Sequence, residues 1–554
     1  MKNITINVNN KITLLILLIL MMGLGSCKKF LEVIPKDQIS DASVWSTTQN
    51  ADLFLNNIYK DLPDVMVWRQ GTSAEDPEEN FSDNSMNGVD WRPSRTIYAL
   101  GNYTSSNAPN HWFWYNSIRS CNLFIENVTA SNLDTSWKKQ SLLQVRFLRA
   151  FFYQMLWIHY GGVPIITNVL DRFTQGDSIF HARNTSDEVF KFITDELAAI
   201  APDLPIKPVS GRVSQGAALA LKGWCELFQA SPLKNPANDK SRWALAAATN
   251  KKLMDLSVYS LFPDLANMFF VENNDNVETI FAKKHMAGTA TGGLNIHELE
   301  VPYVRGLYSG NGEETPTQDL VDDYAMANGL PITDPASGYD PQNPYVNREK
   351  RFYQTVIYNG SIWRGDSILT WVGSGSANTL DLPSNSESSN TAYYLLKGLD
   401  VRLAVNWYLT NGADFIIFRY AEILLSYAEA QNEASGPDPS VYDAINKVRA
   451  RSGLPGLPSG LSQDQMRTAI HRERRVELAF EEKRWLDLLR WKIAEKNLNG
   501  SLHAMEITKV NGNYLYTVIP APGGQRAFYP RNYVLPIPQQ AMDQNPKLVQ
   551  NPGY

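Results

Sequence analysis

The chain is poor in the residues that most often carry chemistry. Its 554 residues include three cysteines and seven histidines. No Cys-x-x-Cys occurs, and the histidines have no metal-ligand spacing. His297-Glu298-Leu299-Glu300-Val301 starts like a zinc-protease helix but lacks the second histidine. A phosphate-cradling glycine loop and a Gly-x-Ser-x-Gly elbow are both absent. No cofactor, no metal and no catalytic residue is therefore expected. The enzyme class that such a search leaves open is a glycoside hydrolase, whose two carboxylates meet only in the fold. Positive charge is not in excess either. With 51 Lys and Arg against 57 Asp and Glu, the net charge is −6, which argues against a nucleic-acid partner. No stretch is polar or repetitive enough for a long disordered tail.

Long apolar runs are also lacking. Ile12 to Met22 is apolar apart from Thr13, well short of the ~20 residues a bilayer span needs. Lys2 and Lys11 give it a thin basic flank, and Leu24-Gly25-Ser26-Cys27 closes it. That pattern is a secretory signal peptide, residues 1–26, ending in a lipobox. Cys27 is then the mature N-terminus and carries acyl chains, so the protein is exported and lipid-anchored. Of the other cysteines, Cys121 and Cys225 lie in apolar helical patterns, and buried thiols are expected there.

Helix signals fill residues 27–260. The spacing predicts helices over Ala51 to Tyr59, Trp112 to Val128, Leu142 to Tyr160, Ser186 to Ile200 with Ser186 as N-cap, Ser214 to Gln229 and Arg242 to Leu256. Successive helical hairpins suggest a tetratricopeptide-like array. Residues 261–412 have a different texture, rich in Gly, Asn, Pro and aromatics, with short strands expected at Val356-Ile357-Tyr358 and near Tyr394. Residues 413–554 return to helices over Phe418 to Glu433, Ser440 to Arg451 and Ser462 to Trp491, then a Pro-rich tail. The expected fold is mostly α, with an irregular, loop-rich insertion holding the ligand site.

Aromatic residues are plentiful: 14 Trp, 25 Tyr and 22 Phe. Several fall in polar, glycine-rich loops, where core packing explains them poorly. Trp91 and Arg92 lie in one such loop, Tyr303, Arg305 and Tyr308 in a second, Trp363 and Trp371 in a third. A flat exposed ring can stack on the C–H face of a sugar. Asp83 and Asn87 are candidate hydroxyl partners beside Arg92 and Arg305. Asp83 to Gly88 also matches the first half of a calcium loop, but position twelve is Ser94, not Glu. The charge-dense segment Glu473 to Trp491 has two open readings: a partner-binding face, or a salt-bridged helix with Phe480 and Trp485 turned inward.

Several blocks coincide, in order, with one family. They are Cys27 with Phe30-Leu31-Glu32 and Pro35; Arg146 to Tyr153 leading to Tyr160-Gly161-Gly162-Val163-Pro164; Gly211-Arg212-Val213; Arg419-Tyr420-Ala421-Glu422 with Ala428-Glu429-Ala430; Val448-Arg449-Ala450-Arg451; Glu473-Arg474-Arg475 through Arg484-Trp485 to Trp491; and the terminal Gln550 to Tyr554. On these the chain resembles the SusD/RagB family of outer-membrane nutrient-binding lipoproteins. The resemblance implies a mostly α fold with tetratricopeptide-like pairs and no enzyme activity. It implies a glycan or, alternatively, a peptide as ligand, and a cell-surface position on the outer membrane. It also implies a SusC-like TonB-dependent transporter as partner, with the Glu473–Trp491 segment a candidate contributor to that interface. Gly162 stands where many members have Asp or Asn. The shared blocks are scaffold and transfer no ligand residue.

Overall fold

Helices begin where a short polar side chain accepts one of the backbone N–H groups that the first turn leaves unpaired. Asp134 accepts from Trp137, Ser214 from Ala217, Asp239 from Ser241 and Asp438 from Ser440. Thr185 and Ser462 form full capping boxes with Glu188 and Gln465. Thr185, not Ser186, is thus the cap of its helix. The computed structural model describes residues 41–63, 77–88, 97–288, 299–380, 388–404 and 411–554. The signal peptide, Cys27, Trp91 and Arg92 lie outside the described residues.

The protein is mostly α. Its long helices, α1 (Thr48–Lys60), α2 (Trp114–Ala130), α3 (Thr135–Tyr160), α4 (Ser186–Ile200), α5 (Gln215–Ala230), α6 (Lys240–Asp255), α7 (Tyr420–Ser435), α8 (Pro439–Arg451) and α9 (Gln463–Glu477), stack largely in chain order. Each of α2 to α5 packs on the next, in the manner of tetratricopeptide pairs. α5 packs on α6, and α6 packs directly on α7, although 164 residues separate Asp255 from Tyr420 (420 − 255 − 1). The array is therefore continuous across the middle region. That region leaves and rejoins it through an antiparallel stem of two strands, β2 (Thr279–Lys283) and β10 (Phe415–Arg419). One apolar core lies between α1 and α5, another between α6 and α9, and a third inside the middle region. Cys121 and Cys225 are buried thiols of the first core. Gly162 has a steric reason: a Cβ there would stand 2.1 Å from the Asn184 carbonyl oxygen.

The segment expected as one helix from Ser462 to Trp491 is two, α9 and α10 (Arg484–Arg490). The chain turns between them through Phe480 and Glu482, both in the left-handed region at φ 61° and 58°. Buried cations hold the turn. Lys397 donates to the carbonyls of Glu477 (3.0 Å) and Ala479 (2.9 Å), and Arg419 to that of Glu477 (2.9 Å).

Most charges of this segment face the interior, with Glu482 and Lys483 only half-buried. Arg351, from the middle region, contacts Glu349 (2.7 Å), Glu473 (2.7 Å) and Glu477 (3.0 Å). Arg419, at the end of the stem, contacts Glu278, Glu477 and Glu481, each at 2.7 Å. Arg474 and Arg490 pair with Glu422, Glu429 and Asp487. All of these side chains are buried. Phe480 and Trp485 are buried with them. The salt-bridged reading is therefore the observed one, in a buried form that joins distant elements. Removing one member of such a group leaves its buried partners short of a counter-charge that water cannot replace.

Candidate functional site

Two short hairpins reach the surface of the middle region. β3 (Tyr303–Val304) pairs with β4 (Leu307–Tyr308), and β7 (Ile362–Trp363) pairs with β8 (Asp366–Ser367). Each turns through Arg-Gly with both residues at positive φ: Arg305 53° and Gly306 70°, Arg364 52° and Gly365 85°. This is the two-residue turn whose twist matches the strands. Tyr303 and Tyr308 face each other across the first hairpin, rings edge-on with centroids 5.6 Å apart. Both rings are half-buried. The Tyr308 hydroxyl donates to Asn311, which in turn donates to Glu313 at 3.1 Å. At the tip, the Arg305 side chain is 63% exposed and stands 3.7 Å from Asp366 of the second hairpin. In water such a pair holds little energy, so the guanidinium remains available to a ligand.

Trp371 is tied to the same group. Asn378, in its loop, clamps the Tyr303 backbone, donating to the carbonyl (2.6 Å) and accepting from the N–H (3.2 Å). Val372 N–H donates to the Ile507 carbonyl at 2.8 Å. The half-buried Trp371 ring lies under the Lys509 ammonium (5.2 Å) and beside Tyr514 (6.3 Å). Tyr303, Arg305, Tyr308 and Trp371 are thus brought into one patch, with their backbones held by side-chain and main-chain hydrogen bonds.

Three candidates are elsewhere. Trp363 is 4% exposed, and its indole N–H donates to the buried Glu300 at 2.9 Å. Arg364 pairs with the same carboxylate. Successive side chains of a strand point to opposite faces. Here Ile362 takes the solvent side at 70% exposed, because the indole finds a buried acceptor and isoleucine could not. Asp83 is buried against Arg484, at 2.7 and 2.8 Å, and accepts from Asn497. Burial alone would raise its carboxyl, but Arg475 and Arg484 outweigh it and hold the group well below the usual carboxylate range. Asn87 is buried in the same strand-and-turn segment, and Asn84 accepts from Arg475 (2.7 Å). The calcium-like run therefore serves as scaffold, with its oxygens turned to arginines. Asp83, Asn87 and Trp363 are not available to stack on or bond a surface ligand.

Beyond Trp371 lie residues that the sequence reading passed over. Lys509, Tyr514 and Tyr516 come from a long hairpin, β11 (Gly500–Val510) and β12 (Asn513–Arg526). Its signal was in the sequence: Asn511-Gly512 between apolar residues, now seen at φ 50° and 85°. Among the described residues, Glu78, His111 and His159 bring three possible metal donors together. The two imidazoles stack at 3.6 Å, 16° from parallel. His159 Nε2 bonds Glu78 directly at 3.0 Å. Burial, and then His159, push His111 well below the usual imidazole range. The trio is a stacked, hydrogen-bonded cluster of the interior.

Comparison with known proteins covers the chain from end to end. The SusD family model matches residues 277–554. A second model, described as starch-binding associating with outer membrane, matches residues 29–223. SusD-like protein P2 of Formosa agariphila is 25% identical over 98% of this chain and 99% of its own. A SusD-like protein from Bacteroides fragilis superposes with a TM-score of 0.78 at 28% identity, over 94% of this chain and 100% of that one. A SusD-like carbohydrate binding protein of the same organism gives 0.77 at 26% identity, over 92% and 100%.

Proposed function

The chain belongs to the SusD family, and from that premise we propose that it is a non-catalytic glycan-binding lipoprotein of the outer-membrane surface that captures nutrient for a SusC-like TonB-dependent transporter. The observation that carries the reading is the patch of Tyr303, Arg305, Tyr308 and Trp371 on clamped loops. A sugar's hydroxyls are already bonded to water, so hydrogen bonds alone contribute little net affinity. Stacking the C–H face of the sugar on a ring removes apolar surface from water and supplies the surplus. Arg305 and Asn311 stand beside the rings as donors to hydroxyls. A relative of known structure named as a carbohydrate binding protein supports the same ligand class.

Calorimetry of the purified protein against a glycan panel, with a peptide library as the competing ligand, tests the reading. Binding of glycan without hydrolysis is the expected result. Binding of peptide alone, or release of sugar from a polysaccharide, would replace it. The anchor is tested separately. Cys27→Ala should lose its acyl chains, each buried CH₂ of which contributes about 0.8 kcal/mol, and leave washed membranes that lack the transporter. Gentle solubilisation with the transporter present should recover the two together.

A further inference from the structure

Six aromatic rings form a continuous ribbon of which the patch above uses only the first. From Trp371 the next centroid is Tyr514 at 6.3 Å, then Tyr516 at 6.2 Å, Tyr345 at 5.5 Å, Tyr358 at 4.5 Å and Tyr353 at 6.2 Å. The rings come from separate segments of the middle region and from the β11–β12 hairpin, where Tyr514 and Tyr516 share a face. Tyr345 is a buried floor, while the other five reach the surface.

Packing alone does not account for how they are exposed. A surface tyrosine ordinarily keeps its hydroxyl in water and its ring inside. Tyr353 does the reverse. Its hydroxyl donates to the Tyr345 carbonyl (2.6 Å) and accepts from the Arg348 N–H (3.0 Å), while 37% of the residue stays exposed. What it presents to solvent is ring carbon. Tyr514, equally exposed, has the Lys509 ammonium 5.6 Å from its centroid. Gln342 clips the Tyr516 backbone from both sides, donating to its carbonyl (3.1 Å) and accepting from its N–H (3.2 Å). These rings are held before any ligand arrives, so little freedom remains to be lost on binding.

We infer that the glycan site continues from Trp371 along this ribbon and takes an extended oligosaccharide chain, lying flat, in preference to a short chain end. The inference rests on the glycan reading above. Trp371, Tyr514 and Tyr516, at steps of 6.3 and 6.2 Å, and Tyr358 with Tyr353, 6.2 Å apart across the buried Tyr345, offer successive stacking faces, with Lys509 and Gln342 beside them for hydroxyls. Each further sugar unit that stacks removes more apolar surface from water. Affinity should therefore grow with chain length, whereas a pocket for a chain end would saturate.

The test is calorimetry with linear α-glucan, β-glucan, xylan, mannan and galactan oligosaccharides, each at three and eight sugar units. For the glycan that binds, the longer chain should bind about tenfold tighter, a difference of ~1.4 kcal/mol. Tyr514→Ala should shrink that gap to about twofold without weakening the shorter chain, whereas Tyr514→Phe, which keeps the ring, should preserve it. Equal affinity of the two lengths for the wild-type protein overturns the ribbon while leaving the glycan site standing, and needs no variant to fold. A gap that survives Tyr514→Ala in a protein of unchanged melting temperature overturns it as well. No binding of any glycan at either length overturns the glycan reading and the ribbon with it.

Discussion

At the scale of single residues, two tryptophans in neighbouring loops have opposite roles. Trp371 keeps part of its ring at the surface, whereas Trp363 is closed in with its N–H on Glu300. Trp371→Ala should weaken glycan binding by ~1–3 kcal/mol, the scale of a stacking anchor. Trp363→Ala should cost ~3–5 kcal/mol of stability, from lost core volume and an indole donor removed from a buried acid. Denaturant unfolding and calorimetry on both variants check the pair. Reversal of the two outcomes would exchange their assignments. Composition and local polarity placed both rings in irregular loops, yet they could not separate them. What separates them is Glu300, 63 residues before Trp363 in the chain and 2.9 Å from its indole.

At the scale of elements, the middle region is held by its stem and by buried ion groups. Arg419 sits at the end of β10 and reaches Glu278, Glu477 and Glu481. Arg419→Met fills much of the volume but removes the cation that three buried acids share, and should destabilise the protein by about 3–5 kcal/mol. The shift in urea midpoint measures it, and a shift within error would mean that water reaches the group. The β11–β12 hairpin turns on Gly512, where nothing lies within 4 Å of a would-be Cβ. Gly512→Ala therefore tests backbone strain alone, at ~1–2 kcal/mol. Faster amide exchange across β11 and β12, and a weaker preference for the longer glycan, are the expected readouts. Helix positions followed from caps and apolar spacing, because both are local. The break at Phe480 and Glu482 did not, since the cations that hold it come from Lys397 and Arg419.

For the whole molecule, buried acids set a pH optimum of stability. Burial pushes the Glu79 carboxyl up to about 7, against hydrogen bonds from Asn84 and from the Phe480 N–H. Burial and the nearby Glu314, Glu79 and Glu78 push Glu482 up as well. A raised carboxyl stabilises the fold below its unfolded value and loses that contribution as pH rises through its folded value. For Glu79 the loss runs from about 4.5 to about 7. Glu429 and Glu481 behave oppositely. Burial raises each, but Arg490 for the first, and Arg419 with Lys397 for the second, bring both down to about 2. Their contribution is present above about 4.5 and is lost as pH falls toward 2. The melting temperature should therefore peak near pH 5 and decline on both sides. Glu79→Gln, which imitates the protonated acid, should flatten the decline toward pH 7 and leave the acid limb unchanged. An unaltered neutral limb in that variant would exclude Glu79 as its source.

The sequence by itself determined the family, the mostly α class and most helix positions, since ordered blocks, caps and apolar periodicity are carried by residues close in the chain. It also marked the loops from which Tyr303, Arg305, Tyr308 and Trp371 come. Only the tertiary structure decided which aromatic and charged residues face solvent. Asp83 is buried by Arg484, 401 residues away, and Arg351 by Glu477, 126 away. Tyr514 joins Trp371 from a hairpin more than a hundred residues downstream. Exposure is a property of what packs on a residue, and over such separations no local pattern records it.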